Sequence, residues 1–162
     1  MLLCFHTLVY KNIAANIQIV YLFSNIFEEK FIILDGTVDA STSGGSITEN
    51  GVNGTLKAGT SGGSVKLNGI SGNVDAKTSD GSMEVNMEAV SDYVKLTNSG
   101  NTALSLPGGK GYNLKVKANK IDTSGLKEYR GNIDNRNIEG TISNGGPEIE
   151  IKTSQKANLT FR

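Results

Sequence analysis

Residues 36–53, 54–71 and 72–89 read GTVDASTSGGSITENGVN, GTLKAGTSGGSVKLNGIS and GNVDAKTSDGSMEVNMEA, three copies of one pattern with a period of 18 residues. A short fixed period means one small unit stacked many times, each copy burying its apolar face against its neighbours. Val38, Leu56 and Val74 share a column of the alignment, as do Ala40, Ala58 and Ala76, and Thr42, Thr60 and Thr78. These columns alternate along the chain and therefore point to one side of a strand, which the apolar content marks as inward. Beyond a Ser-Gly-Gly-Ser turn, Ile47, Val65 and Met83 begin a second alternating run, followed by Leu67 and Val85. Each repeat thus holds two short strands separated by turns.

Asn50-Gly51 and Asn68-Gly69 mark the second turn, and Asn50, Asn68 and Asn86 form their own column. Rungs ~4.8 Å apart let such asparagines hydrogen-bond along the stack, which favours a solenoid over separate hairpins. Outward columns support the stacking. Asp39, Lys57 and Asp75 alternate in sign, and Lys66 faces Glu84. Glu49, in the column of Leu67 and Val85, breaks the apolar pattern, and is expected at an end of the stack open to water. Val94-Lys95-Leu96, Leu104 and Leu106, then Leu114-Lys115-Val116 continue the rungs at a spacing near twenty. Ile133, Ile142, Ile149, Ile151, Leu159 and Phe161 carry the pattern to the end. The polar stretch 120–137 reads as an irregular excursion. The fold class expected is all-β, a right-handed parallel β-helix (β-solenoid) with 18–20-residue rungs over 35–162.

Residues 1–34 differ: rich in Leu, Ile, Phe and Tyr, without the Gly-Ser-Thr grammar. Three readings stand: a degenerate export or anchor segment, strands or a helix capping the solenoid with Phe31–Leu34 as a strand, or a misassigned start. The uncharged run 12–27 is short and interrupted for a membrane helix, which needs about 20 apolar residues. Membrane association would come only through this segment.

The bulk numbers exclude more than they assign. Lys+Arg and Asp+Glu are both 16, so no net charge draws the 162-residue chain to nucleic acid. His6 is the sole histidine and Cys4 the sole cysteine, both outside the repeats. That leaves no Ser-His-acid or Cys-His site and no His- or Cys-based zinc site in the repeat domain. Gly108-Gly109-Lys110-Gly111 lacks the remaining residues of a phosphate loop. A β-helix polysaccharide enzyme would need paired carboxylates. Asp39 and Asp75 share a column but lie two rungs, ~10 Å, apart with Lys57 between them. The threonine column faces inward and so offers no flat ice-binding ladder. No catalytic, cofactor or metal residue is therefore expected.

VDASTSGGSI, GTLKAGTSGGSV and GNVDAKTSDGSMEV, together with LSLPGGKGYNLKVKA and EGTISNGGPEIEIKTSQKANLTF, resemble a bacterial family of β-strand-repeat proteins described as adhesins, formally a domain of unknown function and similar to auto-transporter adhesin head domains. The resemblance runs from about Asp35 to Arg162. It implies a right-handed β-solenoid on an exported or membrane-anchored protein of the cell envelope or surface, with no catalytic residues to carry over. The function expected is non-enzymatic binding of a glycan or surface protein through outward columns such as Ser41/Gly59/Lys77 and Thr48/Lys66/Glu84. A structural or regulatory envelope role without a ligand stands second, and a polysaccharide-active enzyme third.

Overall fold

The computed structural model describes Gln18–Phe23 and 34–162, with side chains from Gly36 onward. Among these residues the chain forms thirteen strands and no helix. They are β1 (Gln18–Phe23), β2 (Leu34–Thr42), β3 (Ile47–Asn50), β4 (Val52–Thr60), β5 (Val65–Thr78), β6 (Met83–Asn98), β7 (Thr102–Leu106), β8 (Tyr112–Lys117), β9 (Lys120–Ser124), β10 (Tyr129–Ile133), β11 (Asn137–Ile142), β12 (Glu148–Thr153) and β13 (Lys156–Phe161). All join one open sheet with two branches. One branch runs β1-β2-β4-β5-β6-β12-β8-β11-β10. The other carries β3, the first halves of β5 and β6, then β7, β13 and β9.

The repeat alignment is the strand register. Val38 pairs with Leu56, and Leu56 with Val74; Ala40, Ala58 and Ala76 follow in the same way. The two inward columns of the first branch continue as Val94, Ile149 and Leu114, and as Leu96, Ile151, Val116 and Ile138. All are buried, and together with Ile47, Val65, Met83, Leu67, Val85, Leu104 and Leu159 of the second branch they make one core. The step from 18 to 20 residues falls where β5 meets β6. The register shifts between Gly72 and Val74, after which Val74 pairs with Val94.

The TSGGS motif is structural. Threonine at the strand end accepts from a turn N–H of its own copy and donates to the turn of the copy before. Gly63 N donates to Thr60 Oγ1 at 3.2 Å, and Thr60 Oγ1 donates to Gly45 O at 2.8 Å. Thr78 Oγ1 lies 2.8 Å from Gly63 O. The second glycine of the motif lies where adjacent turns press backbone on backbone. A Cβ on Gly63 would strike Gly45 O, and one on Gly81 would strike Gly63 O. The first glycine has room, with nothing nearer than 3.8 Å to a Cβ on Gly62, and the third copy carries Asp80 there. The closing serines form their own ladder, Ser64 N to Ser46 Oγ and Ser82 N to Ser64 Oγ, both 3.2 Å. The asparagine ladder forms as expected. Asn68 Nδ2 donates to Asn50 Oδ1 at 3.2 Å and Asn86 Nδ2 to Asn68 Oδ1 at 2.8 Å.

Several expectations need correction. The rungs do not stack in chain order to the C-terminus. β12 lies between β6 and β8, and β13 lies between β7 and β9. The last pair of strands in the sequence is therefore an internal pair in space. Pairing is not parallel throughout either: β11 runs antiparallel to β8, and β10 antiparallel to β11. The stretch 120–137 is not an irregular excursion, since it contains β9, β10 and the start of β11. Ile133 belongs to β10 but is 50% exposed and outside the core. Glu49 does not face water; it is 2% exposed. In the N-terminal segment, the backbone of β1 pairs parallel to β2, so the β2 edge is not the end of the stack. The expected strand at Phe31–Leu34 falls mostly on residues 31–33, outside the described residues, as do Cys4 and His6.

The insertion has a steric and an electrostatic logic. After β11 the chain crosses the start of β8 to reach its other side. Glycines make the crossing: a Cβ on Gly111 would strike Gly145 O, and one on Gly146 would strike Gly111 O. Asn113 ties the crossing down, its N to Pro147 O at 2.9 Å and its Nδ2 to Gly146 O at 2.7 Å. Thr153 takes the place in β12 that Thr60 and Thr78 hold in the repeats. It pairs with Asn98 and donates to Gly100 O, in the turn of its spatial rather than sequential neighbour.

Candidate functional site

Outward columns cross the stack on both branches. The middle one of the first branch reads Asp39, Lys57, Asp75, Lys95, Glu150, Lys115 and Glu139 in spatial order, an unbroken alternation of sign over seven strands. Had β8 followed β6 directly, Lys95 would face Lys115; β12 sets Glu150 between them. Facing opposite charges help and facing like charges cost, each by roughly 0.2–1 kcal/mol. Glu150 is the best held of these acids. Lys152 Nζ lies 2.6 Å away, and this lysine, with Lys95 and Lys115, keeps the carboxyl below its ordinary value against the opposing pull of desolvation.

The two columns expected to bind a partner are in register. Ser41, Gly59 and Lys77 continue through Thr97, Lys152, Lys117 and Asn137. Lys152 and Lys117 do face each other here, and Lys152 turns to Glu150 instead. Thr48, Lys66 and Glu84 continue through Ala103, Asn158 and Asp122 on the other branch. Lys66 and Glu84 form an ion pair at 3.6 Å, both about half exposed. Asp122, on the edge strand β9, is held below its ordinary value by Lys156 at 2.6 Å, with Lys120 helping. Lys77, Lys66 and Glu84 are exposed, whereas Ser41, Gly59 and Thr48 are partly covered. The two columns lie on different branches, so the structure does not merge them into one surface.

Asp39 and Asp75 lie in register two strands apart with Lys57 between them, so they do not form an acid/base pair. Among the described residues no group of three or more His, Cys, Asp or Glu could hold a metal ion. No helix among them is long and apolar enough to cross a membrane.

Gly108–Gly111 is the turn from β7 into β8. A strand follows it, so it has no helix N-terminus to receive a phosphate. It does line a pocket of about 200 Å³. The other walls come from the turn after β9 (Gly125, Lys127, Glu128), from Ile142 at the end of β11 and Ser143 just after it, and from Phe161 at the end of β13. Glu128 (φ 52°) and Ser143 (φ 53°) are the two non-glycine residues with positive φ among the described residues, and both line this pocket. They hold each other: Ser143 N donates to Glu128 O at 3.0 Å, and Ser143 Oγ to Glu128 Oε2 at 2.6 Å. The 18-residue grammar gives no signal for Glu128 or Ser143, which lie in turns unique to the second half. The only hint in the sequence was the Gly-Gly-Lys-Gly run.

No curated protein and no solved structure matches this chain. The Toastrack DUF4097 family matches residues 33–156, more than half of the sequence and nearly the whole span of the resemblance read from the repeats. Together with the open all-β stack, that match identifies the chain as a member of the Toastrack DUF4097 family, a domain of unknown function with a β-strand-repeat fold.

Proposed function

We propose that this chain is a non-enzymatic recognition module of the bacterial cell envelope or surface, an adhesin-type domain. It is read as a right-handed β-helix of 18–20-residue rungs that binds a glycan or a protein partner through its outward columns. The hand follows from the strong right-handed preference of parallel crossover connections. The observation that carries the reading is the division of labour in the repeats. Thr, Gly, Ser and Asn of the motif are spent on holding adjacent turns together, whereas Ser41/Gly59/Lys77 and Thr48/Lys66/Glu84 stand in register on the outer faces. A stiff sheet with side chains every ~4.8 Å presents a repeating partner with a repeating surface at little ordering cost. The alternating middle column leaves no single-sign field, so recognition rests on contact rather than on long-range attraction.

The test is protease shaving of intact producing cells, with mass spectrometry of the released peptides, followed by binding of the purified chain to those cells. Peptides from 36–86 released before lysis, and cell binding that weakens stepwise as Lys77 and Lys66 are changed to Ala, are the expected results. Peptides seen only after lysis, with no saturable binding, would replace this reading with a structural role inside the envelope. Turnover of a polysaccharide abolished by removing one carboxylate would make the chain an enzyme.

A further inference from the structure

We propose that the pocket where the turns after β7, β9 and β11 meet the end of β13 binds a single acidic sugar unit, a pyranose bearing a carboxylate. The recognition reading places its binding surfaces on the sheet faces; this site is separate from them and rests on that reading only in taking a saccharide as the ligand.

The pocket is made of parts the solenoid does not need. In the repeats the turns follow the pattern and serve the stack. Here three non-repeating turns converge, and the two non-glycine residues held at positive φ among the described residues line one space. A non-glycine residue in that region is strained and persists only where surrounding structure enforces it. The Glu128–Ser143 pairing supplies that enforcement.

Its chemistry is mixed in a specific way. Lys110 and Lys127 both line the pocket, and neither makes an ion pair among the described residues. Two ammonium groups suit an anionic group. A bare inorganic anion would also meet the Glu128 carboxylate and leave the apolar wall unused. A carboxylated sugar uses every part. Its carboxylate goes to the lysines, and a hydroxyl donates to Glu128, whose other partner is Ser143 Oγ. The C–H face of its ring lies on Phe161, a partly buried ring that also packs on Tyr112 with centroids 6.2 Å apart. The volume is below the range of drug-sized sites and suits one ring rather than an oligomer.

The experiment titrates the full chain with D-glucuronate, methyl glucoside and inorganic phosphate, following backbone amides by NMR. Saturable shifts confined to 108–110, 125–128 and 143 with glucuronate are expected, with a Kd on the order of 1 mM. Methyl glucoside should give at least tenfold weaker binding, and phosphate no comparable shifts. The double variant Lys110→Gln/Lys127→Gln should lose glucuronate binding at an unchanged melting temperature, because both side chains are exposed. Glu128→Gln should weaken glucuronate without admitting methyl glucoside. Equal binding of phosphate and glucuronate would overturn the sugar assignment, and no saturable shift with glucuronate would overturn the site. Either failure with intact cell binding through Lys66 and Lys77 would leave the recognition reading in place. The converse, glucuronate bound but no cell binding, would separate the two in the other direction.

Discussion

The repeats from Gly36 to about Asn86 and the strands after Asn98 are built from the same parts but stacked by different rules. In the first region neighbours in space are neighbours in sequence, and the turn contacts repeat from copy to copy: Thr on turn carbonyl, Ser on Ser, Asn on Asn. In the second region the neighbours come from distant parts of the chain. β12 pairs with β8 on one side and, across the five intervening strands β7 to β11, with β6 on the other. Like-on-like ladders cannot specify such an order, because any rung accepts any other. The late strands are distinguished instead by sign of charge, by a glycine crossing at Gly111, Gly145 and Gly146, and by two antiparallel strands that finish one branch. Repetition specifies a stack; complementarity specifies an order within it.

The largest effects should come from burying a charge in either region, and the two should differ in reach. Val74→Asp and Ile151→Asp each place a carboxylate at a fully buried position, costing more than about 4 kcal/mol. Val74 lies inside the repeats and its loss should abolish cooperative melting. Ile151 contacts β6 on one side and β8 on the other, so its variant should lose hydrogen-exchange protection over 100–162 while residues 47–86 keep theirs. Equal loss in both regions would show that the stack melts as one unit.

Next in size is a pair of glycines. Gly72→Ala combines φ +132° with a Cβ driven into Gly54 O, and should cost about 2–4 kcal/mol. Gly59→Ala, on an outward column with nothing within 4 Å, should be neutral or stabilise by up to about 1 kcal/mol. Thermal melts of the two variants decide it, and similar melting temperatures would contradict the close backbone contact between Gly54 and Gly72.

Asn68→Ala removes the middle of the asparagine ladder and leaves a donor on one side and an acceptor on the other, for about 1–2 kcal/mol by urea denaturation. An effect no larger than that of Lys77→Ala would mean that the ladder contributes no stability.

The smallest effect tests the charge order. Lys95→Glu faces Asp75 and Glu150 with a like charge and should cost within ~1 kcal/mol, most of it lost at 1 M salt. Lys77→Glu, between Gly59 and Thr97, should change little. Acid should act on the same region. The Glu150 and Asp122 carboxyls are depressed in the folded chain, so the stability they add is present above their ordinary values. It is lost as pH falls through the depressed ones, below about 4.5 for Glu150. Hydrogen exchange at falling pH should therefore open β9, β12 and β13 ahead of β4 and β5.

The repeats were legible because every inward column is written three times, so Val38, Leu56 and Val74 identify their own register. The asparagine ladder and the inward threonines were legible for the same reason. The insertion was not, because apolar alternation in 148–161 is equally compatible with any position in the stack. One signal did exist. Stacking in chain order sets Lys95 against Lys115, and only Glu150, in the right parity on β12, relieves it. The burial of Glu49 was missed because one residue out of pattern was taken for an end open to water; among the described residues β3 does end its branch, with β5 its one strand partner, yet Glu49 is buried there. The pocket left almost no trace, since Glu128 and Ser143 gain their meaning from backbone conformation and from turns far apart in sequence.

The order of the late strands underlies the charge column, the glycine crossing and the pocket alike. It is tested most directly by inter-strand NOEs in the intact chain. Contacts of Ile149 with both Val94 and Leu114, and of Ile151 with both Leu96 and Val116, are predicted, with none between Val94 and Leu114. Direct contacts between Val94 and Leu114, with Ile149 at an end of the sheet, would contradict the inserted order and dissolve the pocket with it.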